Sequence, residues 1–165
     1  IQAAYICYEA QKLGIIQSLF QSQQPERVII FASSKLKVKE VTKALKRMKL
    51  NVGEMHSDLE QSQREEIMHE FRNRRIDILV ATDIVARGID IDDIRLVINY
   101  DVPEENEYYI HRIGRTGRAK KHGVAYTLLS DFPSRLRLDN IARNTRSTIV
   151  PAQLGDDGSV TPVSK

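Results

Sequence analysis

The sequence predicts an α/β domain with a mainly parallel central sheet and helices on both faces. Short runs rich in Val and Ile alternate with longer amphipathic stretches, which is typical of strand–helix–strand units. Some runs, such as residues 28–31 and 78–81, are apolar without interruption, as expected of strands covered on both faces. A chain of 165 residues suffices for one compact domain and is too short for two of ordinary size.

The apolar runs and the amphipathic stretches between them predict the order of the elements. Strands are predicted at residues 3–7, 27–31, 51–55, 77–81, 96–100 and 124–129. Helices are predicted at residues 9–21, 35–49, 61–72 and 104–113, with a last helix around Leu136, Leu138, Ile141 and Ala142. The domain is thus expected to span residues 1–150. Residues 151–165, with Gly, Asp, Ser and Pro throughout, predict a linker or flexible tail.

The composition says more about the cellular compartment of the protein than about its function. Cys7 is the single cysteine, so no internal disulfide can form, and no Cys/His spacing matches a metal site. The chain has no apolar run of membrane-spanning length and no signal-peptide layout, so we expect a cytoplasmic protein without a membrane partner. Because the sequence starts almost directly in a strand without Met, we expect it to be excised from a longer chain.

Charge is informative through its distribution. The net charge of +3 says little about partners. Between Arg112 and Lys121, however, five basic residues occur without a carboxylate, whereas residues 101–107 carry four acids. A charge run of this kind is usually a solvated face, so the case for function needs a second argument.

Hydroxyl and carboxylate side chains follow three predicted strands at their carboxyl ends, where ligands bind in open parallel sheets. Ser33 and Ser34 follow the second strand, Asp58 follows the third, and Thr82 and Asp83 follow the fourth. Small hydroxyls beside free amides can hold a phosphodiester backbone without reading bases. The alternative is that Ser34, Asp58 and Asp83 are only helix N-caps, and a cap does not exclude ligand binding.

The segment that continues from Thr82 places a cation, a glycine and a carboxylate within four residues. Arg87 and Gly88 are followed by Asp90, whose carboxylate could accept a hydrogen bond from a ribose hydroxyl. An ordinary loop with an exposed Arg–Asp pair, which contributes little stability, explains the same residues. This segment alone therefore leaves both interpretations open.

Residues 111–118 carry the strongest signal. Arginines recur at every third position, and Gly114 and Gly117 interrupt them, where each glycine costs a helix about 1 kcal/mol relative to Ala. Guanidinium groups stay charged and bind phosphate oxygens bidentately, which suits a γ-phosphate during its transfer. The structural alternative pairs these arginines with the acids at positions 104, 105 and 107.

Taken in order, these segments resemble the second RecA-like domain of DEAD-box RNA helicases over about residues 1–145. The matching segments are residues 28–34 with motif IV, His56-Ser57-Asp58 with Gln61 and Arg64 for the QxxR region, residues 81–90 with motif V, residues 97–103 with the next strand motif, and Tyr109 with residues 111–118 for motif VI. The family usually has Gly at Ser57 and a second Ala at Val85. Neither departure removes a charged group.

The resemblance implies a RecA-like three-layer fold and a role for each matched residue. Arg115 and Arg118 would be arginine fingers that reach ATP on a partner domain, with Gly88 and Asp90 contacting the nucleotide. His111 and Arg112 would couple ATP to the interdomain contact. The residues implied to contact or organise the RNA backbone, with little sequence specificity, are Ser33, Ser34, Gln61, Arg64, Thr82 and Arg87.

Two absent motifs set the predicted mechanism. The chain has neither a GxxxxGK[ST] loop nor an Asp-Glu-Ala-Asp segment, so ATP with Mg²⁺ is expected mainly on an N-terminal RecA-like domain of the same polypeptide. We predict an ATP-dependent RNA helicase whose C-terminal half is inactive alone, is monomeric when isolated, and closes on single-stranded RNA to unwind duplex locally. The alternatives are a non-catalytic RNA-binding or adaptor-docking module, or a DNA helicase or translocase domain of the same superfamily.

Overall fold

The computed structural model describes residues 1–83, 93–113 and 123–163. Within those ranges the strands are β1 (Gln2–Ile6), β2 (Val28–Ala32), β3 (Val52–Met55), β4 (Ile78–Thr82), β5 (Leu96–Asn99), β6 (Val124–Leu129), β7 (Val150–Leu154) and β8 (Val160–Pro162). The helices are α1 (Lys12–Gln23), α2 (Lys35–Arg47), α3 (Gln61–Arg72), α4 (Asn106–Ile113) and α5 (Phe132–Thr145). A short 3-10 turn, Glu9–Gln11, leads into α1.

The described strands form one sheet in the order β3-β4-β2-β5-β6-β1-β7-β8. The strands from β1 to β7 pair in parallel, and β8 pairs antiparallel with β7. Because β2 to β5 run in the same direction, their carboxyl ends lie along one edge of the sheet. The predicted fold class, a mainly parallel sheet in a three-layer α/β domain, is confirmed.

Alternating side chains of the strands divide the core into two faces. On β2, Val28, Ile30 and Ala32 pack with α1 and α2, whereas Ile29 and Phe31 pack with α3 on the opposite face. Helices α4 and α5 enclose a smaller cluster around Tyr109 and Leu138. Every residue of β2 is buried, which explains its uninterrupted apolar sequence.

The boundaries agree with the sequence prediction to within a few residues. Strand β6 and helix α3 have the predicted bounds, β2 and β4 are displaced by one residue at both ends, and β3 begins one residue later than predicted. Helix α4 begins at Asn106 rather than at residue 104. Among the described helices, none has the length and apolar character needed to cross a bilayer.

The end of the chain differs from the expected linker or flexible tail. Residues 150–162 contain the β7–β8 hairpin, and Val160 is 1% exposed in the core. Gln23 of α1 holds β8 through both backbone groups of Val160, donating to its carbonyl at 3.2 Å and accepting from its N–H at 3.0 Å. The hairpin thus extends the sheet because distant polar side chains satisfy its backbone.

Candidate nucleic-acid interface at the carboxyl edge of the sheet

A polar cleft of about 370 Å³ lies at the carboxyl ends of the central strands. Loops that follow β2, β3, β4 and β5 meet here because these strands are parallel. The residues that line the cleft are Ser33, Ser34, Lys35, Ser57, Thr82, Asp83, Pro103, Glu104 and Tyr108. The structure therefore brings together three of the predicted RNA-contacting residues, Ser33, Ser34 and Thr82.

The serines after β2 have different local roles. Ser34 is the N-cap of α2, and its hydroxyl accepts a hydrogen bond from the Lys37 amide at 3.3 Å. Ser33 is exposed, and its backbone N–H donates to Asp101 Oδ2 at 2.9 Å. The capping interpretation is therefore confirmed for Ser34, and the exposed hydroxyl of Ser33 leaves a donor at the cleft.

The loop after β3 faces the same cleft through Ser57. Asp58 does not cap the next helix, because the N-cap of α3 is Glu60. Instead, Lys35 donates to Asp58 at 3.1 Å, and this hydrogen bond keeps the pKa of the carboxyl below its ordinary value. Lys39, one turn further along α2, lies 3.7 Å from the same carboxylate.

A buried arginine fixes α4 beside the cleft. Arg112 is 1% exposed, and its Nε and Nη2 donate to the two oxygens of Asp83, each at 2.6 Å. Its Nη1 donates to the Asp101 carbonyl at 2.8 Å, and the guanidinium lies 5.5 Å from the centre of the Phe31 ring. This planar, bidentate arrangement is one that a lysine could not reproduce.

The Arg112 site continues into β5 and β6. Asn99 accepts from Arg112 Nη1 at 3.4 Å and donates to Thr127 Oγ1 at 3.0 Å. Asp101 accepts from the Ser33 amide and lies 3.4 Å from the Lys37 ammonium. One polar network therefore joins α4 to the loop that lines the cleft. We refer to Arg112, Asp83, Asn99, Asp101 and Thr127 as the Arg112 network.

The network explains how an internal charge cluster is tolerated. Burying an arginine is costly unless its donors are paired, and Arg112 has partners for Nε, Nη1 and Nη2. Asp83 and Asp101 are partly covered, with side chains 14% and 11% exposed. The arginine pairs with Asp83 and Asp101, whereas the structural alternative placed its partners among the acids at positions 104, 105 and 107.

Three other predicted residues lie outside the cleft wall. Gln61 is exposed on α3, where its side chain donates to Glu65 at 3.4 Å. Arg64 is half-buried on the same helix. His111 is 44% exposed on α4 and lies 3.5 Å from Glu107 one turn away, so it presents an accessible imidazole beside the buried Arg112.

The remaining predicted residues lie outside the described part of the chain. These are Arg87, Gly88 and Asp90 in one segment and Arg115 and Arg118 in the other. The roles that the resemblance implies for them stay predictions.

Sequence reasoning missed the partners of Arg112. Asn99 and Thr127 are fully buried polar residues in largely apolar strands, Asn99 at the end of β5 and Thr127 inside β6, and Asp101 is the second residue after β5. A polar residue that interrupts an apolar strand was the available signal, since a buried polar group must be hydrogen-bonded. The sequence did not indicate which distant group satisfies it.

A mainly parallel sheet covered by helices on both faces, with a polar cleft at its carboxyl edge, is the architecture of a RecA-like domain. The model of the helicase conserved C-terminal domain matches residues 11–120. The chain is 42% identical over 142 residues to the ATP-dependent RNA helicase CshA of Limosilactobacillus reuteri. That alignment covers 86% of this chain and 28% of CshA, so the chain spans less than a third of this relative.

Solved structures agree with the sequence match. The C-terminal domain of the DEAD-box protein Dbp5 superimposes with a TM-score of 0.83 at 32% identity, covering 92% of this chain and 90% of that one. Dbp5 of S. cerevisiae bound to RNA and ADP BeF3 gives a TM-score of 0.81 at 33% identity, covering 92% of this chain and 41% of that one. The chain belongs to the helicase conserved C-terminal domain family and is a C-terminal RecA-like domain of the DEAD-box type.

Proposed function

We propose that this chain is the C-terminal half of an ATP-dependent RNA helicase, in which it binds the backbone of single-stranded RNA and completes an ATPase site held mainly by an N-terminal domain. The observation that carries the proposal is the polar cleft at the carboxyl edge, together with the buried Arg112 that fixes α4 beside it. The family match and the RNA-bound structure of Dbp5 support the same assignment.

The cleft has the chemistry of a backbone-binding site. Ser33, Ser57 and Thr82 offer hydroxyl groups, Lys35 offers a cation, and the first turn of α2 offers amides near Ser34. Such groups donate to phosphate oxygens and leave base edges unread. We therefore expect weak sequence preference and a strong dependence of affinity on salt.

The second half of the proposal concerns ATP, which would be bound with Mg²⁺ mainly by the N-terminal domain. Arg115 and Arg118 follow α4 in the sequence, three and six residues after Arg112. We propose that they stabilise the charge that develops on the γ-phosphate, as arginine fingers do. Gly88 and Asp90 would contact the nucleotide. Because Arg112 pairs with Asp83 and Asp101, α4 would hold the start of the segment that carries Arg115 and Arg118 in place relative to the RNA cleft.

The two ligands would act by closing the cleft between the domains. RNA and ATP would bind the closed state more tightly than the open state, because some groups of this chain contact phosphate oxygens only in the closed state. This difference in affinity would shift the population towards the closed state. A strand held in a bent path along Ser33, Ser34 and Thr82 could not remain in a regular duplex. Local unwinding would follow from closure, and ATP hydrolysis would allow the domains to reopen.

The direct test joins this chain to the N-terminal domain of a DEAD-box helicase and measures RNA-stimulated ATP turnover. Removing an arginine finger typically costs a factor of about 10³ to 10⁵ in turnover, so Arg115→Ala and Arg118→Ala are each expected to abolish most of the stimulation. Arg143→Ala, an exposed arginine on α5, serves as the matched control and should leave turnover unchanged. The unjoined chain should show no turnover.

Several results would contradict the proposal. Unchanged turnover in both finger variants would remove the catalytic role, and RNA binding without any stimulation in the joined protein would favour a non-catalytic binding module. Equal stimulation by DNA and RNA strands of the same sequence would favour a DNA translocase. The finger and control variants should bind RNA equally in the absence of nucleotide.

A further inference from the structure

Helix α2 carries a stripe of cations that the cleft does not account for. Lys39, Lys43, Lys46 and Arg47 line a shallow groove between α2 and the edge strand β3, together with Thr42 and Glu54. We call these four cations the α2 basic stripe. They are exposed, and Lys39, Lys43 and Arg47 follow one another at intervals of four residues, or about 6 Å along the axis, with Lys46 directly before Arg47.

The stripe is electrostatically unbalanced. The groove has four cations and one carboxylate, Glu54, which instead lies 3.4 Å from the imidazole of His56. Among the described residues, Lys43, Lys46 and Arg47 form no ion pair, and Lys39 shares Asp58 with Lys35. Cations in the last turn of a helix interact favourably with its dipole, which would explain Lys46 and Arg47. That effect does not explain Lys39 or Lys43 in the helix interior.

The stripe is continuous with the cleft. Lys35, at the first position of α2, lines the cleft, and Lys39, one turn later, lines the groove. Asp58 contacts both side chains and marks the point where the two surfaces meet. A polyanion that leaves the cleft past Lys35 would meet Lys39 next and then Lys43.

We infer that the α2 basic stripe is a second RNA-binding surface, which holds the phosphodiester backbone of duplex RNA flanking the strand in the cleft. This inference rests on the proposed function of the cleft. The described residues that line the groove include no aromatic ring on which an unpaired base could stack, so their contacts would be with phosphates alone. That described lining also includes none of the apolar anchors that protein partners usually require, which favours nucleic acid over an acidic peptide.

The test measures the salt dependence of RNA binding by this 165-residue chain. The probes are a short oligouridine strand and the same strand extended at either end by a stable RNA hairpin. The variant Lys43→Gln, Lys46→Gln, Arg47→Gln removes three stripe cations. Each phosphate contact with a duplex contributes about 0.9 to the slope of log affinity against log salt, so the slope for an extended probe should fall by about 2 to 3. The slope for the short strand should not change.

Two further variants make the result interpretable. Lys43→Gln alone should lower the slope by about 1, and glutamine has nearly the helix propensity of lysine, so the fold should be retained. The net-charge control is Arg135→Gln, Arg143→Gln, Arg146→Gln, which removes three exposed cations on or next to α5 on the opposite face of the sheet. This control should bind both extended probes as the parent chain does.

The inference fails if the stripe variant and the α5 control lose affinity equally, because net charge alone would then explain the effect. It also fails if extended and short probes bind the parent chain equally or not at all. Binding of oligoglutamate that depends on the stripe, without any effect on RNA, would overturn it in favour of an acidic protein partner. None of these outcomes alters the ATP turnover of the joined protein, which tests the function of the cleft separately.

Discussion

At the scale of single residues, Arg112 has a structural role that its position in an arginine-rich segment of the sequence conceals. Its side chain is buried and bonded to Asp83 on one side and to the Asp101 carbonyl on the other. An arginine in this position can influence ligands only through the groups that it holds. We therefore place its proposed coupling role in the orientation of α4 rather than in direct contact with a partner domain.

Removing this arginine should destabilise the fold. Breaking a buried ion pair by deleting one partner typically lowers the free energy of unfolding by about 3 to 5 kcal/mol, because the other charge is left uncompensated. We expect that loss for Arg112→Ala, measured by urea unfolding of the chain. The free energy of unfolding of Arg112→Lys should lie between those of Arg112→Ala and the parent chain, since lysine keeps the charge and loses the bidentate geometry.

The matched control is Arg74→Ala. Arg74 also donates to a carboxylate at 2.6 Å, that of Asp93, but its side chain is 55% exposed. Exposed pairs contribute about 0 to 1 kcal/mol, so this variant should unfold at nearly the parent urea concentration. Equal losses in Arg112→Ala and Arg74→Ala would contradict the buried network.

At the scale of elements, the hairpin β7–β8 is held to the domain by side chains far away in sequence. Ser18 donates to the Gly158 carbonyl at 3.0 Å, and Tyr126 donates to the Val160 carbonyl at 3.0 Å. Val160 joins the same core cluster as Leu19 and Phe20 of α1. The hairpin is therefore a part of the folded domain, and Val160 is its fully buried apolar residue among those described, with Val150 and Ala152 partly buried against the same cluster.

Shortening that anchor should loosen the hairpin. Val160→Ala removes two buried methyl groups, for which we expect a loss of about 2 kcal/mol in the free energy of unfolding. Val163→Ala changes the same residue type at a site that is 36% exposed and should cost much less. Hydrogen exchange at the amides of β7 should accelerate in the first variant only. Similar exchange in both variants would show that Val160 does not anchor the hairpin.

Elements differed in how well the sequence predicted them, and the reason is physical. Strands β2 and β4 were predicted closely because every residue in them is buried, so their apolar runs have no interruption. The hairpin was missed because its stability depends on Gln23, Ser18 and Tyr126, which lie far away along the chain. Its own segment contains Gly, Asp, Ser and Pro, and local composition therefore indicated a tail.

At the scale of the whole molecule, the parallel sheet explains why a site could be predicted without its contacts. Parallel strands end at one edge, so Ser33, Ser57 and Thr82 had to come near one another once the fold class was known. Arg112 and Asp83 are 29 residues apart in the sequence, and their pairing depends on the angle at which α4 crosses that edge. Sequence patterns carry no information on such an angle.

The whole fold should lose stability at high pH through its buried tyrosines. Burial raises the pKa of Tyr109, which is 2% exposed and donates to Gln2 at 2.7 Å, to about 12, and burial likewise raises the pKa of Tyr100 to about 12. In the unfolded chain tyrosine ionises near pH 10, at about its ordinary pKa. Above that pH the unfolded chain binds fewer protons than the folded one, so the free energy of unfolding falls as the pH rises towards about 12.

The variant Tyr109→Phe tests how much of this loss in the free energy of unfolding at high pH is due to Tyr109. A pKa raised from 10 to about 12 corresponds to at most about 3 kcal/mol, and Tyr109→Phe should reduce the loss of stability at high pH by up to that amount. The variant should be somewhat less stable than the parent at pH 8, because the hydrogen bond to Gln2 is lost, and the two unfolding curves should converge as the pH rises. Urea unfolding at intervals between pH 8 and pH 12 measures both effects. Parallel pH profiles for variant and parent would show that the phenol of Tyr109 ionises as easily in the folded chain as in the unfolded one.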